Sequence, residues 1–199
     1  MIKSLKSVFA VLLLSTLTTT AYAGISVGAD SDYMYRGVSQ TDGSTSAWAS
    51  ADWSHDSGIY LGAWLGQVDY ADGSDLETDL VAGWSNDWLN VGYIDYSYNG
   101  DTDLDGSEIF IGSEIMGVSV EYYMGQDDYT DYLEFGYSVM GLDVSYGMWD
   151  EVGDNMKISK SFDLPMDLEG SLSFVQFLAD DGSMMDDEDT IVFGIAKSF

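Results

Sequence analysis

Apolar side chains recur at every second position in stretch after stretch of this chain. Val118, Val120, Tyr122 and Met124 do so, as do Leu133, Phe135 and Tyr137, then Leu142, Val144, Tyr146 and Met148. Ile191, Phe193 and Ile195 continue the pattern to the terminal Phe199. A two-residue period places these side chains on one face of a β-strand and leaves a different face opposite. Read between Gly, Asp, Asn and Ser turn signals, the alternation predicts twelve strands. They fall at 25–38, 45–54, 59–70, 76–85, 88–98, 107–114, 118–125, 130–139, 142–149, 155–162, 168–177 and 190–199. Each approaches the roughly nine to eleven residues that a tilted strand needs to cross a bilayer. Hydrocarbon admits only backbones without unpaired groups, a condition that a closed sheet meets. The expected fold is therefore all-β, an antiparallel up-and-down transmembrane barrel of about twelve strands.

The connections support this pattern. Those after even-numbered strands are tight: Asp56-Ser57-Gly58, Asn86-Asp87, Met116-Gly117, Met140-Gly141, and Asp163 to Met166 around Pro165. Several of the others are longer and more acidic: Asp72 to Asp75, Asn99 to Asp105, Asp150 to Asp154 and Ala179 to Asp189. Short periplasmic turns and longer external loops belong to outer-membrane barrels. Aromatics gather near both sets of strand ends. Tyr33, Tyr35, Tyr70, Tyr96, Tyr98, Trp149 and Phe177 lie toward the loop end, and Trp53, Trp84, Trp88, Tyr137, Phe162 and Phe199 toward the turn end. Two lipid-facing belts at headgroup height are expected from them. The plainer alternative is that Trp and Tyr are good strand formers anywhere.

The start of the chain reads as a secretory signal. Lys3 and Lys6 precede the apolar run Val8 to Leu14, and Ala21-Tyr22-Ala23 offers a small-x-small cleavage site. The expected division is a signal peptide at 1–23 and a barrel at 24–199, exported to a Gram-negative outer membrane. The apolar run is too short for a membrane helix, and no cysteine is present to form a disulfide. Six Lys/Arg stand against thirty-five Asp/Glu, a net charge of −29. Such a field excludes nucleic acid and favours cations or a saline setting.

Opposite the apolar faces lies a polar series read as pore-lining. It comprises Asp30, Asp32, Arg36, Asp52, Glu77, Asp79, Glu108, Glu121, Glu134, Asp143, Lys157 and Glu169. Glycines such as Gly66, Gly83, Gly92 and Gly147 recur beside them and would leave room in a narrow bore. Charges confined to one face need water or partners, and a carboxylate-lined aqueous path favours cations. The alternative is a plugged barrel whose acids pair with Arg36 and Lys157; two bases cannot neutralise so many acids, which favours internal water. Lys160 and Lys197 fall on outward faces, where they can snorkel. Arg36, the only arginine, is expected near the loop end of the first strand, inside the barrel and in a salt bridge.

Arg36 lies in the run Ser31-Asp32-Tyr33-Met34-Tyr35-Arg36-Gly37-Val38-Ser39-Gln40-Thr41. Ser31, Tyr33, Arg36, Gly37, Ser39 and Thr41 match a Ser-x-Tyr-x-x-Arg-Gly-x-Ser-x-Thr element. This resembles the start of the TorF-type porins of proteobacterial outer membranes. Gly58-Ile59-Tyr60-Leu61-Gly62-Ala63-Trp64 is similar to that family's second hairpin. The resemblance implies a barrel assigned as a porin by its architecture, and it brings no catalytic residues.

Asp101, Asp103 and Asp105 open like a calcium loop, but Gly112 stands where its bidentate glutamate belongs. With Asp186-Asp187-Glu188-Asp189, they are weak candidates for divalent binding in what is otherwise a solvated loop. His55 is the sole histidine and falls at a turn, and neighbours such as Ser54 and Ser57 do not assemble a hydrolytic triad. No cofactor fingerprint appears, and an enzyme is not expected. Expected partners are outer-membrane lipid, small ions or solutes, and the assembly machinery through Phe199. Oligomeric state and solute are not encoded in any motif. The leading function is a passive, cation-preferring channel for small polar solutes. The alternatives are a non-conducting barrel whose acidic loops bind cations or a surface partner, and a soluble lipocalin-like binder.

Overall fold

A computed structural model describes residues 21–71, 73–100, 104–126 and 128–199. The signal-peptide core at 1–20, and Asp101 and Asp103 of the acidic loop, lie outside the described residues. The strands are β1 (Tyr22–Asp30), β2 (Met34–Tyr35), β3 (Val38–Ser39), β4 (Ser46–Ser54), β5 (Ile59–Gln67) and β6 (Leu76–Ser85). They continue as β7 (Asn90–Tyr98), β8 (Gly106–Ile115), β9 (Val118–Gln126) and β10 (Tyr132–Val139). The last are β11 (Leu142–Trp149), β12 (Gly153–Leu164), β13 (Leu168–Ala179) and β14 (Glu188–Ser198).

Twelve of these form one closed barrel in which neighbours in sequence pair antiparallel, and β1 meets β14 to seal it. At the seam Ser26 stands opposite Ser198 and Asp30 opposite Gly194. Closure leaves no strand edge unpaired, as lipid requires. The polarity is inverted relative to a water-soluble sandwich. Leu80 is 54% exposed and Ile191 59% exposed on the outer face, whereas Glu77, Glu108 and Glu121 are buried inside. Such an exterior fits a lipid-facing wall and does not fit the soluble-binder alternative.

Tight turns gather at one end. Met116-Gly117 and Met140-Gly141 both have positive φ at their two residues, the geometry that matches strand twist in two-residue hairpins. The main departure lies at the other end. The first strand does not run to residue 38; β1 stops at Asp30, and 31–45 turns inward, carrying the separate hairpin β2–β3. The alternation through Tyr33 and Tyr35 is genuine, but it belongs to this hairpin and not to the wall.

The aromatic belts divide likewise. At the turn end Trp84, Tyr137 and Phe162 are exposed on the outer face, as a girdle requires. At the loop end Tyr33, Tyr96 and Phe177 are buried, so this group is an internal filling and not a lipid-facing belt. The outward tyrosines are instead Tyr93, Tyr122 and Tyr146, whose hydroxyls donate to Asp95, Asp131 and Asp154. Each pair keeps the ring against the apolar wall and its polar edge toward the rim.

Candidate functional site in the barrel interior

Strand parity decides which side chains meet inside. Cross-strand partners share a face, so Glu134 opposite Glu121, and Glu121 opposite Gly112, fix the interior side of three strands. Followed round the ring, Asp30, Asp52, Glu77, Asp79, Glu108, Glu121, Glu134, Asp143, Lys157 and Glu169 all fall on the enclosed face. Asp32 and Arg36 also reach the interior, but from the in-folded segment and not from a wall strand.

That segment explains the sequence motif residue by residue. Ser31 bonds the backbone of Phe193 in both directions, at 2.8 and 3.0 Å, which pins the hairpin's entry to β14. The Tyr33 ring packs on Trp64 with centroids 5.0 Å apart. The Asp32 carboxylate accepts from Ser39 Oγ at 2.6 Å and from Thr41 Oγ1 at 2.9 Å. Thr41 Oγ1 in turn accepts from the Tyr33 amide at 3.1 Å. The short polar side chains therefore supply hydrogen bonds that the two-rung ladder of β2–β3 cannot.

The tip of the hairpin is Arg36-Gly37, with φ of +47° and +91°. Glycine takes this conformation freely, and arginine does so at a cost. Arg36 is held there by what it reaches. Both terminal nitrogens donate to the two oxygens of Glu108 at 2.7 Å, a forked pair with Glu108 fully buried. Its guanidinium carbon lies 4.1 Å from the Tyr132 ring centre, 4.9 Å from Tyr35, 5.1 Å from Tyr123 and 5.4 Å from Trp149. Forked hydrogen bonding and stacking on aromatic faces are uses for which arginine, and not lysine, is suited. The salt bridge expected for Arg36 is thus present, though its backbone position differs from the one read in sequence.

Gly37 seats the tip against the far wall. A Cβ there would stand 2.6 Å from Asn155 Cβ and 3.2 Å from Phe177 Cβ, atoms fixed to the backbone. Gly37→Ala is therefore expected to destabilise the fold by about 1–3 kcal/mol, through strain and overpacking. The denaturant midpoint in detergent, compared with the unchanged chain, measures it.

The interior acids find their partners mainly among tyrosines. Tyr98 donates to Glu77 at 2.8 Å, Tyr96 to Glu108 at 2.9 Å, Tyr123 to Glu121 at 2.8 Å and Tyr132 to Glu134 at 3.0 Å. Sequence reasoning assigned Tyr96 and Tyr98 to a lipid-facing belt and did not single out Tyr123 and Tyr132, although Glu121/Tyr123 and Tyr132/Glu134 are two residues apart and so necessarily share a face. The mismatch between acids and bases is thus met in part by phenols, while Glu121 Oε1 is buried without a hydrogen-bond partner among the described residues. Burial pushes the Tyr129 phenol up to about 12, and Tyr33 and Tyr35 rise for the same reason, so all three remain donors at neutral pH. The glycines do not leave open space on this side either. A Cβ at Gly83 would meet the Tyr60 ring at 2.3 Å, and one at Gly92 the Phe110 ring at 2.4 Å.

The opposite flank is different. A cavity of about 70 Å³ lies between the hairpin and the wall formed by β1, β12, β13 and β14. Asp30, Lys157 and Glu169 line it together with Ser159, Ser161, Ser171 and Ser173. Asp30 also accepts from Trp48 Nε1 at 2.8 Å. Lys157 lies in the field of Glu134, Asp30 and Asp143. This flank mixes these polar groups with apolar ones such as Met34, Val175 and Val192, and it has room for a few waters. The interior thus has a sealed aromatic side and a serine- and charge-lined side.

No three His, Cys, Asp or Glu groups among the described residues converge as metal ligands. Asp105 instead accepts from the Tyr98 amide, and Glu188 from the Ser39 amide. His55 sits at the β4–β5 turn against Ser57, stacked on Trp53.

A family model described as "Bacterial protein of unknown function (Gcw_chp)" matches residues 15–173. No curated protein matches the sequence. Among solved structures, one titled "KdgM porin" superposes with a TM-score of 0.54 at 12% identity, covering 88% of this chain and 99% of that one. A mutant of Rhodopseudomonas blastica porin gives a TM-score of 0.44 at 16% identity, over 77% of this chain and 55% of that one. The first likeness concerns the fold.

Proposed function

We propose that this chain, which belongs to the Gcw_chp family, is a porin-like passive channel for small polar solutes that prefers cations. Its place is the bacterial outer membrane, after cleavage of a signal peptide behind Ala23 and assembly guided by the terminal Phe199. The observation that carries this reading is the inverted polarity of the closed barrel: apolar side chains outward, carboxylates and serines enclosed. The likeness to a structure titled as a porin supports the architecture. The match of residues 31–41 to the TorF-type element belongs to the same reading.

Solutes pass along the serine-lined flank, where Asp30 and Glu169 outnumber Lys157. Planar-bilayer recording of the purified protein tests this. Steady current steps with a cation-selective reversal potential are expected, and the double variant Asp30→Asn/Glu169→Gln should lose several-fold of that selectivity. Anion preference in the unmodified chain would overturn the charge assignment. The in-folded hairpin favours a second reading, a non-conducting barrel whose acidic loops bind cations or a surface partner. Complete electrical silence would select it.

A further inference from the structure

We propose that the pocket holding Arg36 is a recognition site for guanidinium-bearing solutes, with Arg36 as its tethered resident. Naming a transported solute class rests on the channel reading above, although binding itself does not need conduction. Four of the groups around Arg36 belong to the wall and stay in place when the hairpin withdraws: Glu108 on β8, Tyr123 on β9, Tyr132 on β10 and Trp149 on β11. Together they offer a buried carboxylate that accepts a planar fork, with three aromatic faces to stack on a delocalised cation. An ammonium would satisfy the charge but not the fork.

Two further features point to a receptor with a replaceable occupant. The resident cation is delivered on a strained backbone, with φ of +47° at Arg36. It comes from a hairpin whose own ladder has only two paired positions per strand, the rest of its hold being side-chain bonds such as those of Asp32 to Ser39 and Thr41. A solute entering from the loop end competes with Arg36, and its binding releases the hairpin. Recognition and opening are then one equilibrium.

The probe is methylguanidinium, with methylammonium as the control for charge alone. Calorimetry on folded protein in detergent, its fold checked by heat-modifiable migration, compares the unmodified chain with Arg36→Ala and Arg36→Ala/Glu108→Gln. Removing the resident should tighten methylguanidinium binding at least ten-fold, because the ligand no longer has to displace it. Adding Glu108→Gln should weaken it at least ten-fold again. The chain has no cysteine, so Val38→Cys supplies a unique label on the hairpin while leaving Arg36 intact. Its reaction with a soluble maleimide should accelerate several-fold in methylguanidinium and not in methylammonium, and this arm decides the matter should Arg36→Ala fail to fold. Equal affinity of Arg36→Ala for the two cations, or labelling unchanged by saturating methylguanidinium, overturns the proposal. Selective binding in a barrel that is silent in bilayers would uphold the site and remove only the channel reading.

Discussion

Arg36→Ala is expected to lower the stability of the folded barrel by about 3–5 kcal/mol, among the largest effects of any single change. Among the described residues the guanidinium is the only base hydrogen-bonded to Glu108, which has no contact with solvent. Removing it leaves a buried carboxylate with the Tyr96 hydroxyl as its remaining donor. Changing both partners together, Arg36→Ala/Glu108→Gln, should recover part of the loss because no unpaired charge remains. A double-mutant cycle built on urea unfolding in detergent separates that coupling from the loss of packing. Strictly additive effects would mean that the pair does not hold the hairpin.

Leu80→Arg is expected to cost about 2–4 kcal/mol, the penalty for a cation near the middle of a lipid-facing barrel wall. Leu80 stands halfway along β6, on the outer face and exposed. Ser171→Arg, on the enclosed face beside the cavity, is expected to change stability much less and to move ion selectivity toward anions. Unfolding from lipid vesicles compares the two directly. Equal costs would contradict the assignment of one face to lipid.

The wall was readable because period two and turn chemistry act locally. Leu142–Trp149 and Leu76–Ser85 coincide with the strands the alternation predicts, and Met116-Gly117 turns where it should. Long-range packing was not readable in the same way. Nothing in Tyr33-Met34-Tyr35-Arg36 distinguishes an extended wall from a hairpin, and an arginine with positive φ runs against local preference. What stabilises it, Glu108 and the rings of β9 to β11, is remote in sequence. The acidic interior was visible by parity, but Tyr96 and Tyr98, two of the tyrosines that bond it, were sorted by their distance from the strand ends and so mistaken for a belt. Their face, fixed by the same alternation, was the better guide.

The bonds of Ser31 to Phe193 have a consequence for biogenesis. Phe193 lies on the last strand to be synthesised, while Ser31 follows the first. The hairpin's seat spans β8 to β11, but its anchor on β14 exists only once the last strand is in place. The segment after β1 is thus tied down by the last strand, and complete seating of the hairpin waits on that strand being in place.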